Sequence, residues 1–185
     1  MKRRAWVAVT ALLIAVLLFS GFKAVAASAA FLGAPSAGES TGLVVLRNDP
    51  IRAPAPGPLT EIARAERALV FIYSPDCAVC HANMVNWIDL VADLRDGPVP
   101  LYAVAPMNTP ATRAYWGRLS RYVRVVTATP EAVHTAFAVE ATPTTLLVER
   151  GVVRGEIVGA LTAAAVAQVR GFTATGEVPK AAQRR

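Results

Sequence analysis

Residues 68–73, Ala-Leu-Val-Phe-Ile-Tyr, run without a polar residue between Arg67 and the turn Ser74-Pro75-Asp76. An unbroken apolar run of this kind reads as a strand buried on both faces. Such a strand needs a layer of side chains above it and another below. That requirement restricts the chain to a sheet held between helices.

The rest of the sequence alternates strand and helix signals. Residues 42–47 read as a short apolar strand. Residues 58–66 read as a helix with Pro58 near its start. Residues 77–94 follow as a helix whose Val79, Met84, Trp87, Ile88, Val91 and Leu94 recur at three to four positions. Residues 99–105 read as a strand, and 109–122 as a helix with Thr109 as N-cap and Pro110 in its first turn. Residues 122–127 form a further strand. Thr129-Pro130-Glu131 opens a capped helix that ends near Phe137. Residues 144–149 and 152–158 are strands joined by the hairpin turn Arg150-Gly151, and 162–172 form a closing helix. Four prolines between Asp49 and Pro58 argue against regular structure there. The order predicts an α/β sandwich with a central mixed β-sheet flanked by helices. Trp87 and Trp116 fall at helical core positions, and His134 at a surface or packing position.

The N-terminus is different. Met1-Lys2-Arg3-Arg4 precedes 18 uncharged residues, 5–22. At about 1.5 Å per residue they span roughly 27 Å, close to a hydrocarbon core of roughly 30 Å. The segment reads either as a single-pass anchor or as a signal peptide cut at Ala24-Val25-Ala26 or Ala27-Ser28-Ala29. In both cases the basic end stays inside and the remainder is exported. In a bacterium that places the folded part on the periplasmic side of the inner membrane, where disulfides persist. The expected organisation is an anchor or signal peptide over 1–29, a tether and extension over 30–57, a folded domain over 58–172 and a disordered tail over 173–185.

The formal charge of +6 comes from the ends. Lys2, Arg3, Arg4, Lys23, Lys180, Arg184 and Arg185 lie in or beside the terminal segments, and without these seven, 12 basic residues face 13 acidic ones. A near-neutral domain gives no reason to expect a nucleic-acid partner.

The chemistry is concentrated in Cys77-Ala78-Val79-Cys80, which holds both cysteines of the chain. A spacing of three puts the two sulfurs on one helical face, within reach of a disulfide. At a helix N-terminus the first sulfur is favoured as thiolate, so Cys77 is the candidate nucleophile and Cys80 the resolving thiol. Other readings stay open. A structural disulfide would close a very small loop and contribute little. A zinc site would have to use Cys80 and His81, which are adjacent and converge poorly. Cys77-x-x-Cys80-His81 also matches covalent haem attachment, with His81 as axial ligand and Met107 or His134 as a distant second.

Two further signatures bear on this. The strand over 68–74 leads through Cys77-Ala-Val-Cys80 into a helix. Later comes Phe137-Ala-Val-Glu-Ala-Thr-Pro-Thr-Thr-Leu-Leu-Val148, followed by Gly151 and Gly159. Together, over residues 58–172, they resemble the thioredoxin superfamily. With the N-terminal apolar segment, the chain resembles its exported, membrane-tethered TlpA-like group, which includes thiol reductants serving cytochrome c maturation. The resemblance implies a thioredoxin-like domain and a protein thiol–disulfide oxidoreductase. It implies a cis Pro143 packed beside the cysteines, with the Thr142 backbone placed to pair with an extended substrate segment. It implies no prosthetic group beyond the Cys77–Cys80 pair and no metal. The partners would be exported proteins carrying disulfides or thiols, with a membrane thiol electron donor if the pair works as a reductant.

The chain departs from the family pattern at three points. Asp76 stands where many members have Trp. It is a candidate N-cap, and a carboxylate there would also work against a neighbouring thiolate. Phe71 stands where thioredoxin has a buried Asp, and Asn83 where some TlpA-like reductants have Glu. Both usual proton acceptors for the resolving thiol are therefore missing. A binding or assembly module with this fold but no turnover is the remaining alternative.

Overall fold

The computed structural model describes residues 44–52, 57–106 and 108–178. Six strands alternate with helices: β1 (Val45–Pro50), α1 (Pro58–Arg64), β2 (Arg67–Ile72), α2 (Ala78–Leu94), β3 (Leu101–Ala105) and α3 (Pro110–Tyr115), then β4 (Val123–Thr127), α4 (Pro130–Phe137), β5 (Thr144–Glu149), β6 (Val152–Val158) and α5 (Ala163–Thr175). A 3₁₀ turn, Gly117–Arg121, follows α3. The strands form one sheet in the order β1-β6-β5-β2-β3-β4. β2, β3 and β4 run parallel, while β5 and β6 pair antiparallel beside β2. The expected mixed sheet is present.

β2 sits inside this sheet, between β3 and β5, and its side chains divide between two cores. Leu69 and Phe71, with Tyr73 just past the strand's end, point into one cluster with Trp87, Val91, Trp116 and Phe172. Ala68, Val70 and Ile72 point into the other with Leu59, Ile62, Val133 and Phe137. Both faces being buried is why no polar residue interrupts the run. α2 and α5 cover the first face, and α1 and α4 the second.

Several boundaries move. The first strand starts and ends later than expected, running over Val45–Pro50 along β6 with a register shift between Leu46 and Asp49. Pro50 is tolerated as the last residue of an edge strand, where a missing N–H breaks no inner ladder. The helix expected over 109–122 stops at Tyr115. Buried Trp116 and Gly117 (φ +47°) turn the chain into the 3₁₀ segment. The stripe that α2 buries is Cys80, Asn83, Trp87, Leu90 and Val91, whereas Val79 and Ile88 are exposed. The closing helix continues to Thr175 with Gly176 as its left-handed cap, and Val178 packs on the core, so the tail does not begin at residue 173. The caps Thr109, Thr129 and Thr162 each accept the backbone N–H three residues on. No helix among the described residues is long and apolar enough to cross a membrane. The anchor or signal peptide expected over 1–29 lies outside the described residues, as does most of the tether over 30–57.

Candidate active site

The turn after β2 delivers Cys77 to the N-cap of α2. Cys77 has extended backbone angles (φ −89°, ψ 112°), and its own sulfur caps the helix by accepting the N–H of Cys80 at 3.1 Å. Asp76 is therefore not the N-cap. It is exposed, and its N–H donates to Ser74 Oγ at 3.4 Å. The half-buried Cys77 sulfur thus lies at the positive end of a 17-residue helix with an N–H aimed at it, a position that holds negative charge well.

Cys80 lies one turn deeper and is fully buried in the cluster with Phe71, Trp87 and Trp116. Burial pushes its thiol up to about 12, and the hydrogen bond the thiol donates to Cys77 adds to the rise. Both thiols are free. The pair therefore joins an accessible sulfur to a sheltered one, the asymmetry needed for attack followed by resolution.

The loop before β5 closes the site. The Thr142–Pro143 bond is cis, as the resemblance implies, and Pro143 is buried. The Cys77 thiol donates to the Thr142 carbonyl at 3.6 Å. Two bonds pin the loop: Thr144 Oγ1 to Ala141 O at 2.8 Å, and Gly159 N to Pro143 O at 2.8 Å. Cys77, Cys80, Thr142 and Pro143 are thus brought together from two segments more than 60 residues apart, while Asp76 stays at the rim.

The missing carboxylates are replaced by packing. The Phe71 ring lies 5.3 Å from Trp87 and 5.4 Å from Trp116, centroid to centroid. The Trp87 indole N–H reaches Thr145 Oγ1 at 3.1 Å. Asn83 is fully buried and acts as a bracket. Its Oδ1 accepts from Leu161 N at 2.8 Å and from Asn86 Nδ2 at 3.1 Å, tying α2 to the start of α5.

His81 is exposed. Its Nε2 sits 2.7 Å from Pro75 O, which requires the proton on Nε2, and its ring lies 5.2 Å from Tyr115. This geometry does not fit covalent haem. Cys80 is sealed under an aromatic layer, and His81 Nε2 is already committed to a carbonyl. His134 lies on α4, whose buried residues pack in the cluster on the other face of the sheet, and Met107 lies outside the described residues. No group of three or more His, Cys, Asp or Glu side chains among the described residues could hold a metal. Tyr115 went unmarked in the sequence, because no spacing rule links it to cysteines 35 or more positions away.

No family model matches the sequence, and no curated protein is a close enough relative to report. Solved structures do match the fold. A candidate thioredoxin from Neisseria meningitidis is similar at 21% identity and a TM-score of 0.54, over 70% of this chain and 95% of that one. A thioredoxin-family thiol:disulfide interchange protein from Chlorobium tepidum matches at 16% identity and 0.53, over 70% and 97%. A DsbF homologue from Corynebacterium diphtheriae matches at 11% and 0.52, over 74% and 96%. At these identities the likeness is one of fold. The chain is a thioredoxin-fold protein, with its cysteine pair at the head of α2 and a cis-proline beside it.

Proposed function

We propose that this protein is a thiol–disulfide oxidoreductase that exchanges electrons between Cys77–Cys80 and the disulfides or thiols of exported proteins. The observation that carries this reading is the accessible Cys77 sulfur, capped by the Cys80 N–H and facing the Thr142 carbonyl, with Cys80 buried one turn behind it. In the reductive direction the Cys77 thiolate attacks a substrate disulfide. One substrate sulfur leaves as thiolate and a mixed disulfide forms. The Cys80 thiolate then attacks Cys77 Sγ, the second substrate thiolate leaves, and two electrons have passed from the pair to the substrate. The oxidative direction reverses these steps. The pair itself is the redox group, so the reading calls for no metal and no other cofactor.

The test is a trap. Cys80→Ser accumulates a covalent complex with a disulfide-bonded protein substrate, which non-reducing electrophoresis resolves, and Cys77→Ser forms none. Equal trapping by both variants, or by neither, sinks the reading. If Cys77→Ser left the biological phenotype intact, the non-catalytic assembly module would take its place.

The finer form of the proposal is a reductant serving cytochrome c maturation. It is anchored in the inner membrane by residues 5–22, faces the periplasm and is reset by a membrane thiol donor. Its support is the resemblance to the TlpA-like group together with the basic-then-apolar N-terminus. The equilibrium potential of the pair against glutathione decides the direction. A value near thioredoxin's, about −270 mV, agrees with a reductant, and one near about −120 mV overturns it.

A further inference from the structure

His81 stands directly after Cys80, in the first turn of α2. Its Nε2–H donates to the Pro75 carbonyl at 2.7 Å, six residues back across the head of the helix. A carbonyl can only accept, and the ring donates from Nε2 both in this neutral tautomer and when protonated. The segment that His81 grips has few ties of its own. The Tyr73 N–H bonds the Val104 carbonyl at 3.0 Å and is the last link to the sheet. Beyond it, the turn over 74–77 closes with the Cys77 N–H on the Ser74 carbonyl at 3.2 Å, and the Asp76 N–H reaches Ser74 Oγ at 3.4 Å. Both bonds lie inside the turn, and Pro75 has no N–H to add. Among the described residues, the bond to His81 is the one that fastens Pro75 or Asp76 to another element.

The imidazole is itself seated. Its ring lies 5.2 Å from that of Tyr115, the last residue of α3, at a tilt of 53°. Tyr115 stacks on Tyr73 at 4.7 Å, and the Tyr73 hydroxyl donates to the Thr112 carbonyl at 2.9 Å. Tyr73 directly precedes the turn. Pro75, His81, Tyr115 and Tyr73 therefore close a ring of contacts that runs through α2, α3 and the end of β2 and returns to the turn along the chain.

We propose that His81 positions the nucleophile: its bond to the Pro75 carbonyl fixes the turn over 74–77 and so keeps the Cys77 sulfur under the Cys80 N–H and against the Thr142 carbonyl. The inference rests on the oxidoreductase reading. In this role His81 exchanges no proton and forms no bond to sulfur. A thiolate at an N-cap is supported only while it stays in line with the N–H groups that open the helix, because the effect fades within the first turn. A turn free to swing lets the sulfur drift and lose part of that support. The pattern Cys77-x-x-Cys80-His81, which also matches haem attachment, is then a thiol pair followed by its own brace.

The titratable groups on the elements that meet at Cys77 are Asp76 in the turn, Tyr73 at the end of β2, Cys80 and His81 in α2, Tyr115 in α3, and Glu140 in the loop before β5, which lines a cavity with Ser74 and Thr142. The experiment follows alkylation of Cys77 by iodoacetamide in the reduced full-length protein as pH is varied, with mass spectrometry assigning the modified sulfur. The thiolate is the reacting form, and it displaces iodide. His81→Phe keeps a ring beside Tyr115 and removes the donor. His81→Gln keeps an N–H donor at the reach of Nε2 and removes the ring and its charge. Losing part of a helix-terminus interaction lowers the thiolate fraction about twofold to fivefold. His81→Phe should therefore slow alkylation by that factor on the rising limb of the pH profile, displacing the profile to higher pH with its plateau unchanged, and His81→Gln should follow the wild type. A His81→Phe profile that coincides with the wild type's or lies at lower pH overturns the inference. So does a His81→Gln profile displaced as far as that of His81→Phe, which assigns the effect to the ring or its charge and not to the bond. The Cys80→Ser trap tests the underlying reading separately. A failed trap removes both, whereas a trapped complex with an unshifted His81→Phe profile removes the inference alone.

Discussion

At the scale of the residue, the site shows how a side chain can be named correctly and assigned the wrong work. Asp76 has the side chain of an N-cap, but the sulfur of Cys77 takes that place, accepting the N–H of Cys80 at 3.1 Å. Asn83 sits where a carboxylate would ionise, yet its carbonyl oxygen is consumed by Leu161 and Asn86. Removing that acceptor leaves the Leu161 N–H buried without a partner. Asn83→Ala should therefore lower stability by about 1–3 kcal/mol. A urea melt measures the loss, and an unchanged midpoint would refute the bracket. The cysteine spacing was legible in the sequence because i and i+3 share a helical face wherever the helix lies. Tyr115 was not legible, because its stacking on Tyr73 and His81 depends on where α3 lands.

At the scale of the element, period-two burial governs the sheet. β2, β3 and β5 alternate residues between two cores, so each reads in sequence as a nearly continuous apolar run. The β5–β6 hairpin was legible to the residue, because Arg150 and Gly151, both at positive φ, mark a tight turn between β-branched strands. β1 was harder to read, since an edge strand buries little and carries mixed polarity. It is held partly by a close fit at Gly155 of β6. A Cβ there would come within 2.7 Å of Val44 Cγ1 and 3.1 Å of Leu147 Cδ1. Gly155→Ala should cost about 1–3 kcal/mol by overpacking and loosen β1 first. Hydrogen exchange tests the order: amides of β1 should lose protection before those of β2. Uniform loss across the sheet would contradict it.

At the scale of the whole molecule, the redox pair is wired into stability. Burial raises the Cys80 thiol from 9.0 to about 12 and the Tyr73 hydroxyl from 10.0 to about 12. Below about pH 9 both the folded and unfolded states keep these protons, and stability is unaffected. Between about pH 9 and 12 the unfolded chain releases them while the folded one holds them, so stability falls as pH rises. The oxidised protein has no Cys80 proton to lose. Its stability should decline less steeply over that window than the reduced protein's, with Tyr73 contributing to both. Thermal melts of the two forms from pH 8 to 11 check this, and parallel curves would sink it.

Local physics, written in the order of residues, determined the strands, most helices, the threonine caps, the hairpin and the pairing of two thiols on one helical face. These follow from side-chain period, φ preference and capping, each of which acts over a few positions. Only the tertiary structure brought the Thr142 carbonyl to Cys77 across the fold. It also packed Phe71, Trp87 and Trp116 into one cluster with Cys80, and left the Tyr115 hydroxyl buried with no partner among the described residues. Those contacts depend on how the two layers close over the sheet, and no local pattern encodes a distance between segments that meet only when the core has packed.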